Sequence, residues 1–278
     1  MLRIISIILI YELITAQGNS PKLYTSPEMN PFVVGGNDVK IENYPFVVAC
    51  YNYGYFTCGG SIVSKNYVLT AGHCTVDDIQ YNVTERQEYG PNMIAVAKNI
   101  RHPNYQDYRK YDVQLLLLAE DIPIGEPGIV AVPVKFPRPY YEVKGDSYVT
   151  GAQVLGWGYT EDYIIPYKLQ CGKYYVVNNT YCEWLHQGVA NVYDSNCCNG
   201  VIGGGIADCN GDSGGPIVLD VNGQLVQYCI VSWSVKPCEN PTYPAVGTKT
   251  SHYVEWISQE TNIPIDELTV DIETVAFH

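Results

Sequence analysis

The stretch Gly211-Asp212-Ser213-Gly214-Gly215-Pro216 places a serine among small residues and beside an acid. Glycine permits unusual backbone dihedral angles and lets a ligand approach the main chain closely. Two N–H groups of such a tight turn can point at one spot, which suits a developing oxyanion. Ser213 is therefore a candidate exposed nucleophile. Taken alone, the same six residues are equally compatible with an ordinary glycine-rich turn.

Three further stretches supply the context that the serine segment needs. They are Val33-Val34-Gly35-Gly36, Leu69-Thr70-Ala71-Gly72-His73-Cys74 and Tyr111-Asp112-Val113-Gln114-Leu115-Leu116. Together the four segments resemble the trypsin/chymotrypsin-like serine proteases from about residue 33 to residue 257, in the order His, Asp, Ser. The resemblance implies an endopeptidase that needs no cofactor, with the catalytic triad His73, Asp112 and Ser213. It also implies an oxyanion hole made by the backbone N–H groups of Gly211 and Ser213.

Short apolar runs separated by turns fill the chain from residue 33 onward, for example at 46–49 and 113–118, and again at 216–219 and 228–231. Many short strands at this spacing indicate antiparallel barrels or sandwiches. A stretch rich in proline and glycine at 122–139 separates two such sets. The resemblance implies an all-β fold of two six-stranded antiparallel β-barrels, with the site at their interface and a C-terminal helix at 254–259.

The ends of the chain differ from its body. Residues 1–18 have a basic start at Arg3, an apolar run and small residues at 16–18, which predicts a signal peptide. A membrane anchor is disfavoured because the apolar run is short and broken by Glu12. Residues 19–32 are polar with three prolines and predict a propeptide. The protease domain is expected at 33–257, and residues 258–278 form an acidic extension for which a frayed terminus is the default expectation.

Composition restricts the partners of the chain. The 278 residues carry a formal net charge of −13, with 16 Lys plus Arg against 29 Asp plus Glu. This balance argues against nucleic acid or an anionic membrane as partner. We expect a secreted monomer whose partners, by resemblance, are peptide and protein substrates and protein protease inhibitors. Asn82 and Asn178 lie in glycosylation sequons, which are meaningful in a secretory context.

The resemblance also implies a zymogen switch. Cleavage before Val33 would free an α-amino group that turns inward and pairs with Asp212. Removing one partner of a buried ion pair costs roughly 3–5 kcal/mol, enough for a switch. The family usually has Arg or Lys before this junction, whereas Phe32 stands here. We therefore expect activation by a protease that prefers aromatic residues or by a second copy of the enzyme.

Ten cysteines, an even number, fit a secreted protein with disulfides. The resemblance implies the pairs Cys58–Cys74, Cys182–Cys198 and Cys209–Cys238, although Cys197 beside Cys198 could shift one partner by a residue. The family partner of Cys171 is absent because Val39 stands in its place. Sequence alone leaves four cysteines without assigned partners: Cys50, Cys171, Cys197 and Cys229. No metal site is expected, since no His/Cys cluster has zinc spacing and the acids at 77–88 are typical of a solvated loop.

Primary specificity is the least determined property. The resemblance puts Ala207 at the floor of the pocket, six residues before the nucleophile, and disfavours a tryptic pocket because trypsins have an acid there. The other expected substrate-binding residues are Asp208, Asn210, Ser232, Trp233, Ser234 and Ala245. Main-chain groups of Ser232 and Ser234 would pair with the substrate backbone as an added strand. We expect a preference for apolar side chains, as in chymotrypsin or elastase, with basic side chains as the alternative if Asp208 faces inward.

A function from another class competes with proteolysis. A catalytically weak or inactive homologue could act as a binding or regulatory protein. This interpretation is favoured by the unusual activation junction and by a pocket narrowed by Ser234 and Ala245, which by resemblance stand where glycines leave the widest pocket. Against it, the chain retains all three triad positions together with Gly211 and Asp212. Reaction of Ser213 with a fluorophosphonate would distinguish the two.

Overall fold

The computed structural model describes residues 36–142, 148–160, 164–201 and 203–272. The predicted signal peptide and propeptide, the junction residues Phe32 and Val33, and residues 273–278 lie outside the described residues. No helix in the described ranges is long and apolar enough to span a bilayer. A two-residue strand, β1 (Asn37–Asp38), precedes the first barrel, followed by a 3-10 turn at Ile41–Asn43.

Six antiparallel strands form the first barrel and close in the order β2-β3-β4-β7-β6-β5. Val48, Ile62 and Leu115 of this barrel are fully buried and belong to its hydrophobic core. The strands are β2 (Val47–Asn52), β3 (Tyr55–Ser64), β4 (Tyr67–Thr70), β5 (Asp78–Gln80), β6 (Met93–Arg101) and β7 (Gln114–Leu118).

The second barrel follows a connecting segment that contains the short strand β8 (Phe136–Pro137). Its strands run in the order β10-β11-β14-β13-β12-β9, and pairing of β9 with β10 closes the ring, to which β1 adds at β10. The strands are β9 (Tyr148–Gly156), β10 (Gln170–Val177), β11 (Asn196–Gly200), β12 (Pro216–Val221), β13 (Gln224–Trp233) and β14 (Ala245–Lys249). The predicted all-β fold with two six-stranded antiparallel barrels is confirmed.

Helices are few and short. The first, α1 (Asn179–Leu185), begins after Asn178, whose side chain accepts hydrogen bonds from the N–H groups of Thr180 and Tyr181. A 3-10 turn at Thr250–His252 leads into α2 (Val254–Thr261), the predicted C-terminal helix, which runs two residues further than expected. It ends where Asn262 adopts the left-handed conformation.

Regular secondary structure continues beyond α2. A further turn of helix, α3 (Ile265–Leu268), leads into β15 (Thr269–Val270), which pairs in parallel with β8. Leu268 and Ile272 are 2% and 7% exposed. Arg138, on the segment that connects the two barrels, donates to Asp271 at 2.8 Å and also pairs with Asp266. The expectation of a frayed terminus is therefore wrong for the extension as far as Ile272, because its apolar side chains pack on the connector.

Four disulfides cross-link the described residues. Three are Cys58–Cys74, Cys182–Cys198 and Cys209–Cys238, and the fourth joins Cys197 to Cys229, two of the four cysteines that sequence left unassigned. Gly247 of β14 passes between the strands that this fourth bridge connects, and a Cβ there would collide with the sulfur of Cys229. Cys50 and Cys171 are buried free thiols, and burial raises the pKa of both.

The replacement Leu268→Ala should lower the free energy of unfolding by about 2–4 kcal/mol, because it empties a buried leucine site in the extension. The matched control Ile164→Ala, at a residue 63% exposed, should change it by less than about 0.5 kcal/mol. Urea denaturation in a Ser213→Ala background, which avoids self-digestion, measures both. Equal stability of the two variants would contradict the docking of the extension.

Candidate active site

His73 lies just after β4, and Asp112 holds both its backbone and its ring. Its backbone N–H donates to Oδ1 of Asp112 at 2.8 Å, and its ring Nδ1 lies 2.8 Å from Oδ2 of the same carboxylate. A carboxylate can only accept at this contact, so Nδ1 carries the hydrogen and Nε2 is left with a free lone pair. The ring is partly open to solvent, with 27% of its side-chain surface exposed. This arrangement leaves Nε2 able to accept a proton.

Asp112 is buried, with 1% of its surface exposed, and is held from both barrels. From the second barrel, Ser232 Oγ lies 2.5 Å from Oδ2, and Thr248 Oγ1 donates to the backbone carbonyl of Asp112 at 3.0 Å. The preceding residue, Tyr111, has φ +58°, an uncommon value for a bulky residue. Its ring stacks on His102, with centroids 5.0 Å apart and planes 9° apart.

The segment around Ser213 is locked between the barrels. The Ser213 carbonyl accepts from Gly59 N–H at 2.8 Å, and Gly214 N–H donates to the Val231 carbonyl at 2.8 Å. Gly214 has φ +78°, and a Cβ at this position would collide with the hydroxyl of Thr70. A side chain is therefore excluded on the residue after the serine by both conformation and space.

The backbone N–H groups of Gly211 and of Ser213 itself have no hydrogen-bond acceptor within the described part of the chain. Unpaired backbone donors at a loop are costly unless water or a ligand satisfies them. These are the two donors that the sequence assigns to an oxyanion hole, and the structure leaves both available.

Asp212 is fully buried, and its carboxylate has only backbone donors. Oδ1 accepts from Gly158 N–H at 2.8 Å and Oδ2 from Cys209 N–H at 2.9 Å. No cation lies within salt-bridge distance of it among the residues described. Burial raises the pKa of Asp212 to about 7, an effect that the two N–H donors oppose. Removal from water penalises its charged form, so a positive partner would stabilise this site.

His73 and Ser213 open onto one cavity of about 300 Å³. Five of the predicted substrate-binding residues line it: Asp208, Asn210, Ser232, Trp233 and Ser234. Ala207 and Ala245 do not; both are buried and line a smaller cavity beside Tyr174 and Tyr243. Asp208, and not Ala207, therefore lines the cavity of Ser213, and Oδ1 of Asp208 accepts from the Tyr174 hydroxyl at 3.0 Å.

Three residues of this cavity were not predicted: Tyr108, Val231 and Lys236. Lys236 lies shortly after Ser234, and Val231 directly precedes Ser232, both of which were predicted to bind substrate. Their positions along the chain could therefore have indicated them. Tyr108 lies four residues before Asp112 in a loop without a motif, and no pattern in the sequence points to it.

The remaining predicted sites have other contacts. The Asn82 side chain donates to Gly128 and accepts from Val130, while Asn178 caps α1; glycosylation of either asparagine stays a prediction. Among the described residues, one group of potential metal ligands lies within 4.8 Å, namely Cys58, His73 and Cys74. The two sulfurs form a disulfide and supply no thiolate, so this group does not have the donors of a metal site.

Comparison with known proteins agrees with this geometry. A family model described as Trypsin matches residues 33–257. The chain belongs to the trypsin family of serine proteases. The protease is 31% identical to kallikrein-15 of Homo sapiens over 242 residues, which cover 81% of this chain and 89% of that protein. It is 31% identical to a trypsin of Phaedon cochleariae over 264 residues, covering 90% and 95% of the two chains.

A third relative is the alpha- and beta-fibrinogenase stejnefibrase-1 of Trimeresurus stejnegeri, 28% identical over 265 residues, with 92% of this chain and 94% of that protein covered. Family membership establishes the protein as a serine-type endopeptidase, a hydrolase that acts on peptides and proteins. The aligned regions cover 89%, 95% and 94% of the lengths of these three relatives.

The replacement Ser232→Ala should reduce kcat/KM of the protease about tenfold, because a hydrogen bond to a charged group contributes about 1.5–3 kcal/mol. The hydroxyl of Ser232 has one hydrogen, and of its two neighbours the Asp112 carboxylate at 2.5 Å is closer than the Tyr108 carbonyl at 2.8 Å. The control Ser64→Ala removes a serine that bonds only to Asn66. Steady-state hydrolysis of a peptide substrate measures both, and unchanged kcat/KM in Ser232→Ala would contradict this role.

Proposed function

We propose that the protein is a secreted serine endopeptidase in which Ser213 is the nucleophile, His73 the general base and Asp112 the residue that orients the base. The observation that carries the proposal is the pair of hydrogen bonds from His73 to the buried Asp112 carboxylate, which leaves Nε2 free at the cavity of Ser213. A serine hydroxyl is a weak nucleophile at neutral pH and requires such a base.

The reaction proceeds through an acyl-enzyme. Nε2 of His73 takes the Ser213 hydroxyl proton while Oγ attacks the scissile carbonyl, and the free N–H groups of Gly211 and Ser213 stabilise the oxyanion. His73 then gives the proton to the leaving amine, and the peptide bond breaks. A water molecule repeats both steps on the ester and restores Ser213. Asp112 stays ionised throughout and stabilises the charged imidazole.

Replacement of Ser213 by Ala should reduce kcat by at least about 10⁴-fold, because no nucleophile remains. The wild-type mature protein should be labelled by a fluorophosphonate at Ser213, and the variant should not. Labelling followed by peptide mass spectrometry identifies the modified residue. A folded mature protein that fails to react would instead favour the alternative function, a homologue that binds its partners without cleaving them.

The primary specificity that we propose is non-tryptic, with apolar side chains preferred. The cavity has apolar wall groups in Val231 and Trp233. Its buried acid, Asp208, already accepts a hydrogen bond from Tyr174, and the cavity also contains the ammonium of Lys236. Cleavage of a mixed peptide library after Leu, Met, Phe or Tyr supports this proposal, with Ser213→Ala as control. Cleavage after Lys or Arg contradicts it and assigns the pocket charge to Asp208.

Activation is proposed to depend on Asp212. The α-amino group freed at Val33 would supply the positive partner that this buried carboxylate lacks among the described residues. Phe32 before the junction excludes trypsin-like activation, so a protease that cleaves after aromatic residues, or the enzyme itself, would release the amino group. The leader segment and four disulfides support secretion. We further propose that the mature enzyme is a monomer and is recognised by protein protease inhibitors.

The precursor should lose stability as pH rises from about 4 to about 7. The pKa of Asp212 is about 7 in the folded chain and about 3.9 in an unfolded one. A raised pKa means that the folded state favours the protonated acid, so its contribution is complete below about pH 4 and lost on passing through about pH 7. Three pKa units correspond to about 4 kcal/mol.

Urea denaturation of residues 19–278 carrying Ser213→Ala, with and without Asp212→Asn, measures this contribution as the pH-dependent difference between the two proteins. The same pair beginning at Val33 should show a smaller or reversed dependence, because an ammonium partner lowers the pKa of the acid. Identical pH profiles for the precursor and the mature form would contradict the proposed pairing of Val33 with Asp212.

A further inference from the structure

Lys236 lines the active-site cavity together with His73 and Ser213. It stands on the segment that follows β13, and its Nζ donates to Oδ1 of Asn210, on the segment before the nucleophile, at 2.9 Å. Its ammonium also lies 3.0 Å from the sulfur of Cys238. Among the described residues no carboxylate lies within salt-bridge distance of this ammonium. The positive charge is therefore not neutralised by direct contact.

Asp208 is the acidic residue of the same cavity. It is 4% exposed and lines the cavity together with Lys236 and Ser213. Burial raises the pKa of Asp208, whereas the hydrogen bond from Tyr174 and the charge of Lys236 lower it. An ionised acid in a pocket of this kind would attract a basic substrate side chain if it were the only charge present. The nearby ammonium opposes that attraction.

Resting on the proposed function, we propose that Lys236 determines specificity: its ammonium is a built-in counter-charge to Asp208 that keeps Lys and Arg side chains out of the primary pocket. A basic side chain in this cavity would meet the like charge of Lys236 as well as Asp208. Repulsion of the wrong substrate contributes to specificity as much as attraction of the right one. When the two charges compensate each other, the apolar residues Val231 and Trp233 decide which substrate side chain the pocket prefers.

The alternative is that Lys236 is an ordinary solvated lysine whose amine happens to contact Asn210. The two interpretations differ in what removal of the charge does. For a solvated lysine, a neutral substitute leaves the ratio of basic to apolar cleavage unchanged. For a counter-charge, the ratio rises, and the rise requires Asp208.

The test compares kcat/KM for two peptides that differ only in having Arg or Leu before the scissile bond. Lys236→Met, which keeps an apolar stem without charge, should raise the Arg-to-Leu ratio at least about tenfold, equivalent to about 1.4 kcal/mol. Lys236→Gln, which can still donate to Asn210, should raise it similarly. Lys236→Arg should keep the wild-type ratio, as should the control Lys173→Met on an exposed position of β10. Adding Asp208→Asn to Lys236→Met should abolish the rise.

A second measurement does not depend on turnover. Benzamidine, a small amidinium compound, should bind Ser213→Ala carrying Lys236→Met at least about tenfold more tightly than Ser213→Ala alone, as measured by calorimetry. Ratios and affinities within twofold of the parent overturn the inference while leaving the proposed peptidase function intact. Loss of cleavage and of fluorophosphonate labelling in the wild type overturns the proposed function instead, and the benzamidine result still decides the role of Lys236.

Discussion

The carboxylate of Asp112 accepts hydrogen bonds from the backbone and ring of His73 in the first barrel and from Ser232 in the second. A buried carboxylate is costly unless its oxygens are satisfied, so these donors must hold their places. The two barrels are thereby fixed relative to each other at this carboxylate. The contact of Gly59 N–H with the Ser213 carbonyl repeats the arrangement at the serine. The geometry of the site and the packing of one barrel against the other therefore depend on the same hydrogen bonds.

Segments outside the barrels also contact the region around Asp112, where the two barrels meet. Tyr111, directly before Asp112, has an unfavourable positive φ and stacks on His102, whose ring also contacts Trp256 of α2 at 5.1 Å between centroids. Strained backbone persists where the surroundings over-determine it. The chain continues from α2 into the extension, which packs on the connector between the barrels through β15 and Leu268. Consecutive contacts thus link Tyr111, beside Asp112, through His102, α2 and the extension to the segment that joins the barrels.

The sequence implied the two barrels and the residues around Ser213 through its resemblance to a known family, because the motifs that carry the resemblance are glycines and small residues at fixed local spacing. It could not pair Cys197 with Cys229, because the bridge depends on Gly247 of a third strand that separates them in the sheet. It also misjudged the extension. A frayed terminus was the default expectation, but Arg138, more than a hundred residues earlier, pairs with Asp266 and Asp271 of the extension. Both errors come from contacts between segments that are distant in sequence.

The charged groups of the cavity are a further feature that depends on contacts between distant segments. Counting six residues back from the nucleophile identifies Ala207, yet the residue that lines the cavity of Ser213 is the next one, Asp208, whose carboxylate accepts a hydrogen bond from Tyr174. A carboxylate attracts a basic ligand only to the extent that nearby charges leave its field uncompensated. Lys236 also lines the cavity, and among the described residues no carboxylate lies within salt-bridge distance of its ammonium. The specificity that we propose depends on a balance between these two groups, which the fold brings to one cavity and which no single position in the sequence encodes.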